Sequence, residues 1–386
     1  NKNNAASGID GLVAFGLIPI YPDLLNEDGS IKWKYNGYSL AAPIRNPMQY
    51  LRRKYSIQSD NLIGNMLLSY EIIPGLSVKS SFGYNSMKSS ENAQTPKAAM
   101  EPRQDRTGSS SFGSNSFQTW IIEPRIDYSS SLIGGNLSIL VGSTLQYQSN
   151  SSTTISGDGY TDDDLLESLQ AAGLTANPGS SYSSYKYAAL FGRISYNYRN
   201  KYILNLNARR DGSSRFGPGK QYGNFGSVGG AYLFSETKFF KKKFPGLSYG
   251  KLRASYGTTG SDNIGDYQYQ ANWGLTDVAY QGTRALRAMN LYNPNYSWAV
   301  TRKAEAGLEL GFVKDRFLFY TGYYKNTSGN QLVSYVLPGQ TGFSSVIKNF
   351  EATVENKGWE FQLNTTNIKT SAFCWTTSAN LTIPQN

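Results

Sequence analysis

The sequence predicts an all-β fold, a transmembrane antiparallel β-barrel with long extracellular loops and short periplasmic turns, and three observations carry the prediction. Apolar residues recur at every second position in about twelve separate stretches, which is the period of a strand. The connections between those stretches alternate short and long. Aromatic residues make up 14% of the 386-residue chain and glycine is abundant, yet the mean hydropathy is −0.45. That average is what an apolar belt alternating with polar positions and long polar loops gives. The longest nearly unbroken apolar run, residues 11–20, has about half of the ~20 residues that a membrane helix needs, so no spanning helix is expected.

The stretches follow one another as hairpins. In residues 61–72, Leu62, Gly64, Met66, Leu68, Tyr70 and Ile72 share a face, with Asn61, Asn65, Ser69 and Glu71 among those on the other. Pro74-Gly75 reads as a tight turn, after which Leu76, Val78, Phe82 and Tyr84 resume the alternation. The next pair opposes Trp120, Ile122, Ile126 and Tyr128 to Thr119, Glu123, Arg125 and Asp127, and returns through Leu137, Ile139, Val141, Leu145 and Tyr147. Leu190, Ile194, Tyr196 and Tyr198 turn at residues 199–201 into Tyr202, Leu204, Leu206 and Ala208. Strands at 224–234 and 250–257 come next. Ala304 to Phe312 then turns through Lys314-Asp315 into Phe317 to Lys325, and the last pair carries Trp359, Phe361 and Leu363, then Phe373, Trp375, Ala379 and Leu381.

Connections at 73–75, 129–135, 199–201, 313–316 and 368–372 are short, and 235–249 is moderate. Those at 86–115, 148–184, 211–223, 258–300 and 326–356 are longer. A membrane barrel keeps every second loop long, and a soluble sandwich has no reason to. Residues 1–60, with Pro19, Pro22, Pro43 and Pro47, read as an extracellular loop region with a small hairpin at Asp28-Gly29, ahead of a partial barrel over 61–386. Thr161 followed by Asp162 to Asp164 and an apolar run ending at Gly173 reads as a short helix capped by Thr161, with Asp164 as the capping-box acid.

Composition narrows the chemistry. The chain has no histidine, which removes Ser-His-Asp and Cys-His catalysis and His-containing metal sites. Its one cysteine, Cys374, forbids an internal disulfide. The net charge of +10 is spread, with Lys241 to Lys243 the one tight run, so a nucleic-acid partner is not expected. The acidic segment from Asp158 holds Asp163 where a calcium loop needs its sixth-position glycine, and 212–221 has Ser214 and Gln221 at two places a phosphate loop fixes. Gly226, Gly229 and Gly230 lie inside a strand, where they allow bending or close backbone approach. Neither a cofactor, a metal site nor paired catalytic carboxylates is expected, and the chain reads as no enzyme.

The candidate site is the aromatic set in the longest connection: Tyr267, Tyr269, Trp273, Tyr280, Tyr292, Tyr296 and Trp298. Such rings either pack loop on loop or present a stacking surface for a sugar or peptide. Lys303, Glu305, Glu123 and Arg125 either face the lumen or a plug within it, or form ion pairs between strands.

The stretch from Tyr196 to Phe240, the segment KLRASYGTTGSDNIGDYQY from Lys251 to Tyr269, Asn293-Pro294, and VENKGWEFQL from Val354 to Leu363 resemble SusC/RagA-type TonB-dependent transporters. The resemblance runs from the Asn46-Pro47 region to the last strand. It implies an outer-membrane barrel of about 22 strands around an N-terminal plug. It implies coupling to TonB through a TonB box, a SusD-like surface lipoprotein as lid, and import of oligosaccharides or, in some members, peptides. Plug, TonB box and early strands have no counterpart here, and about twelve strands cannot close that barrel without leaving unpaired edges in lipid. The expectation is a portion of a longer chain, surrounded by outer-membrane lipid. A barrel serving as a scaffold in an outer-membrane assembly, without transport, is the rival reading.

Overall fold

The computed structural model describes residues 2–6, 23–39, 46–102 and 106–386. The apolar run at 11–20 and Pro19, Pro22 and Pro43 lie outside them. Among the described residues the strands are β1 (Lys2–Ala6), β2 (Lys34–Tyr35), β3 (Tyr38–Ser39), β4 (Lys54–Ile73), β5 (Leu76–Thr95), β6 (Gly108–Leu132), β7 (Gly135–Tyr160), β8 (Leu174–Tyr198), β9 (Tyr202–Ser213) and β10 (Tyr222–Tyr232). They continue as β11 (Leu247–Ser261), β12 (Trp273–Tyr280), β13 (Thr283–Ala288), β14 (Ala299–Phe312), β15 (Phe317–Gly329), β16 (Gln331–Val336), β17 (Ser345–Phe350), β18 (Val354–Lys369) and β19 (Cys374–Gln385). Two short helices, α1 (Met48–Arg52) and α2 (Lys238–Lys243), accompany them.

One sheet takes thirteen strands in the order β1-β4-β5-β6-β7-β8-β9-β10-β11-β14-β15-β18-β19, and β2–β3, β12–β13 and β16–β17 are separate two-stranded hairpins. Each of the expected stretches is one of the long strands. The additional strand, β1, lies within the region read as loop and pairs antiparallel with β4, from Lys2 opposite Gln58 to Ala6 opposite Lys54. The expected turn at Asp28-Gly29 is present: Leu25 and Ile31 bridge, Asp28 accepts from the Ser30 amide at 2.9 Å, and Gly29 has φ of +76°. Ser30 also holds the exposed Asp28 carboxyl below the usual range.

Two expected long loops are shorter than predicted. The connections at 86–115 and 148–184 shrink to 96–107 and 161–173, because β5 to β8 extend into them. At about 3.3 Å per residue a strand of this length far exceeds the ~25 Å apolar band of a barrel, so the extension has no lipid to face, polar residues such as Ser89, Gln94 and Ser110 are buried along it, and the apolar alternation stops there. The expected helix after Thr161 is two 3-10 turns, Asp163–Leu165 and Leu169–Ala171. The cap is Asp162 instead of Thr161: its side chain accepts from the Asp164 amide at 3.0 Å.

The chain folds as two compact units. The first comprises Asn1–Asn65, Gly83–Trp120 and Gln148–Ser184, and buried polar side chains bond within it. Asn46 is fully buried, donating to the carbonyls of Leu24 at 2.7 Å and Lys32 at 2.9 Å while accepting from the Met48 amide at 3.0 Å. Asn115 donates to Glu91 at 2.9 Å and accepts from Ser152. Asp163 accepts from the amides of Lys97 at 2.7 Å and Ala98 at 3.2 Å, so N–H donors engage part of the acidic run. Tyr160, Ala99 and Leu166 are buried there, and burial raises the pKa of the Tyr160 phenol.

The second unit comprises Met66–Phe82, Ile121–Tyr147 and Tyr185–Asn386. Register sorts its residues by face: Leu206 sits opposite Val228 and Ile194, Val228 opposite Tyr256, Leu252 opposite Leu308, and Leu310 opposite Phe319. Many of these apolar side chains are open, with Leu190 62% and Leu252 52% exposed. A continuous exposed apolar face of this kind is the signature of a lipid-facing wall. It ends toward the short turns in a row of rings, Tyr198, Tyr202 and Tyr232, the last two stacked at 5.0 Å. The β8–β9 turn has φ of +52° and +53° at Arg199 and Asn200, the mirror-image geometry that suits hairpin twist.

Candidate functional site

The opposite face of the second unit is polar. Antiparallel register places Lys251 opposite Glu309 and Ser255 opposite Glu305, with Tyr320 and Tyr324 on the next strand. Arg253 lies 2.6 Å from Glu305 and 3.4 Å from Glu309, and donates to the Tyr320 hydroxyl at 2.9 Å, while Lys251 reaches Glu309 at 3.1 Å. Arg125 and Lys79 both pair with Asp127 at 3.3 Å, and Glu123 accepts from Ser81 and Thr144. Glu305 and Arg125 thus form ion pairs on this polar wall. Lys303 lines a cavity of about 880 Å³ with Arg209, Asp211, Glu305, Tyr324 and Glu360. Alternating donors and acceptors make a surface that a hydrated solute wets, with charges largely neutralised in place.

The predicted aromatic set divides in two. Tyr296 is 2% and Trp298 7% exposed, and they pack with Phe216 and Ile264 in the core cluster at the loop base. Tyr269 packs against that cluster. The Trp298 ring lies 5.3 Å from Phe216 and 5.6 Å from Phe225, and its Nε1 donates to the Gln221 carbonyl at 3.0 Å. Gly223 and Gly260 make room for the Phe225 ring: a Cβ at Gly223 would meet it at 2.5 Å, and one at Gly260 would overlap it. For these rings, packing accounts for the aromatic chemistry. Trp273, Tyr280 and Tyr292 are instead 63%, 79% and 60% exposed, on and beside the β12–β13 hairpin. Tyr267 is half-buried with φ of +60°.

A polar latch fixes the loop base. Asp262 accepts from the Tyr185 hydroxyl at 2.8 Å and from Ser213 at 2.7 Å. Arg215 donates to Asp266 at 3.0 Å and to the Asp262 carbonyl at 3.2 Å, with its guanidinium 4.4 Å from the centre of the Tyr185 ring. Burial, then the Asp262 carboxylate, hold the Tyr185 phenol well above its ordinary pKa, so it stays a donor. Tyr185 lies on the loop side of the apolar stretch 190–198. Two asparagines continue the latch: Asn349 donates to the carbonyls of Ser297 at 2.8 Å and Asn330 at 3.0 Å, and Asn330 to that of Trp298 at 2.8 Å. Asn293 donates to the Ile347 carbonyl at 3.1 Å. None of these residues stands out by local pattern, because their partners lie from 19 to 77 residues away in sequence. The segment from Asp211 to Gln221 is a structural clasp, as the failed phosphate-loop match allows.

An exposed apolar sheet face, short turns edged with aromatic rings, a polar opposite face and latched loops define a wall of an outer-membrane β-barrel. Comparison with known proteins carries this further. The family described as TonB dependent receptor-like, beta-barrel matches residues 16–384, and the chain belongs to it. Its members are receptors and transporters, not enzymes, and reside in the outer membrane. TonB-dependent receptor P26 of Formosa agariphila is 31% identical over 98% of this chain and 39% of its own length. TonB-dependent receptor SusC of Bacteroides thetaiotaomicron is 29% identical over 92% of this chain and 35% of its own length. The RagAB peptide transporter structure superimposes with a TM-score of 0.82 at 23% identity, covering 92% of this chain and 40% of that one, which is a likeness of fold. The chain thus spans about two fifths of the length of the relatives it matches.

Proposed function

We propose that this chain supplies barrel wall and outer loops to a TonB-dependent importer of oligosaccharides or comparably large nutrients. In this reading a SusD-like lipoprotein closes over the outer loops, and TonB acts through a plug belonging to the remainder of the protein. The observation that carries the reading is the exposed trio Trp273, Tyr280 and Tyr292, the first two on a hairpin whose base is tied and the third just beyond it. Flat rings held open on a fixed base offer apolar faces to a sugar ring, while the Asn290 side chain, bonded to the Asn272 amide and the Gln270 carbonyl, ties that base. A surface that only packed loops would bury these rings as it buries Trp298. Family membership and the likeness to SusC support import, and the polar wall with its 880 Å³ cavity supports a hydrated cargo.

The test uses the full-length protein with its partner. The double variant Trp273→Ala/Tyr292→Ala is expected to keep normal abundance in the outer membrane and to lose at least about tenfold in glycan affinity, as removing two stacking rings implies. Unchanged binding and uptake of every glycan that supports growth would remove the reading.

A further inference from the structure

We propose that the β10–β11 connection is a binding site for an anionic phospholipid of the periplasmic leaflet. The connection lies at the short-turn end of the sheet and contains α2, Lys-Phe-Phe-Lys-Lys-Lys from Lys238 to Lys243. A chain of rings joins it to the lipid-facing belt: Tyr202 stacks on Tyr232 at 5.0 Å, Tyr232 meets Phe234 at 6.3 Å, and Phe234 meets Phe240 at 4.9 Å. Gly250 has no side chain where the Phe234 ring lies on the strand, and a Cβ there would overlap that ring. The helix is therefore seated on the belt.

The seat leaves a cavity of about 450 Å³ lined by Phe240, Phe244, Leu247, Leu310, Phe312 and Lys243. Leu310 and Phe312 belong to the lipid-facing side of β14, so the cavity is continuous with the surface that acyl chains already cover. Its rim is basic. Glu236 pairs with Lys241 at 2.7 Å, while Lys243 lies 5.4 Å from the centre of the Phe239 ring and lines the cavity, and Lys242 precedes it on the same helix. Phe239 is 60% exposed on the same helix. An apolar slot for one chain with the Lys243 ammonium at its mouth and further lysines on the same helix fits a phosphodiester headgroup carrying acyl chains. Lysine stems lie along apolar surface while their heads reach the headgroup plane, and each contributes separately to attraction for anionic lipid.

The experiment places the delipidated full-length protein in nanodiscs of phosphatidylcholine with or without phosphatidylglycerol, and reads bound lipid by native mass spectrometry and unfolding by heat. The wild type is expected to retain phosphatidylglycerol preferentially and to unfold at a higher temperature in its presence. Lys242→Gln/Lys243→Gln is expected to lose about thirtyfold in that preference, and Leu310→Trp, which fills the slot, to lose lipid retention with the lysines intact. Glycerol 3-phosphate alone is expected to give no stabilisation. Equal retention of the two lipids by the wild type would overturn the proposal. So would equal protection by glycerol 3-phosphate, or a lysine variant that discriminates as the wild type does. Should a variant fail to insert, the wild-type comparison in low and high salt decides, since a charge-led preference falls with ionic strength.

Discussion

Two aromatic groups in the second unit use the same residue types in opposite ways. At the short-turn end Tyr198, Tyr202 and Tyr232 form a stacked row on the sheet surface, with Tyr202 50% exposed. At the loop base Phe216, Tyr296 and Trp298 are buried among one another, and the Trp298 Nε1 has a carbonyl acceptor. The difference lies in what stands around the rings. The row is bordered by apolar strand positions and lysines, so its surroundings are a bilayer interface. The cluster is packed by Tyr187, Phe225, Tyr269, Leu332 and Ile347, and hydrogen bonds of Asp262, Arg215, Asn330 and Asn349 tie together the segments that carry it. Aromatic density thus marks either a boundary with lipid or the core of a loop assembly, and the polar neighbours distinguish them.

The largest expected effect breaks the comparison at its buried end. Trp298→Ala removes a ring packed on Phe216 and Phe225 and is expected to cost about 3–5 kcal/mol, against about 1 kcal/mol for Tyr202→Ala, whose ring is half in lipid. Chemical denaturation of the full-length protein in detergent compares them directly, and equal losses would erase the distinction. Next in size, Asp262→Ala leaves the Tyr185 and Ser213 hydroxyls without their acceptor, and is expected to cost about 1–3 kcal/mol. The loss should appear as faster proteolytic nicking within residues 262–298, with the strands of the sheet unaffected.

The smallest effect is one of pH. The folded-state pKa of Tyr185 lies above its unfolded value, so its contribution is full below about pH 10 and is lost as pH rises through the folded value. Loop protection from protease should weaken above pH 10 in the wild type more steeply than in Tyr185→Phe. Identical profiles would show that this phenol does not hold the latch.

Much of the sheet is legible because one face is apolar: Leu204, Leu206 and Ala208 against Asn205, Asn207 and Arg209 can be read only as period two. The extensions of β5 to β8 are not legible, since stretches such as Gly113 to Ser116 or Ser149 to Ser152 have no apolar residue on either face and strand is set there by pairing alone. β1 is hidden for the same reason, being a short strand whose pairing with β4 no local signal announces. The aromatic loop stands out by composition, but nothing near Trp298 distinguishes it from Trp273. That distinction comes from Phe216, which meets the Trp298 ring, and from Asn349, which holds the backbone of the preceding Ser297; they lie some eighty and fifty residues away in sequence and come together only in the fold.

The most direct measurement is of sidedness. In full-length protein stripped of native cysteines, including Cys374, a cysteine is placed either at Arg284, exposed on the β12–β13 hairpin, or at Ser371, in the β18–β19 turn. Intact cells are then treated with a maleimide too large to cross the outer membrane. Arg284→Cys should label at once and Ser371→Cys only after the membrane is permeabilised. Labelling of both in intact cells, or of Ser371→Cys alone, would contradict the barrel orientation on which the loop, latch and lipid assignments stand.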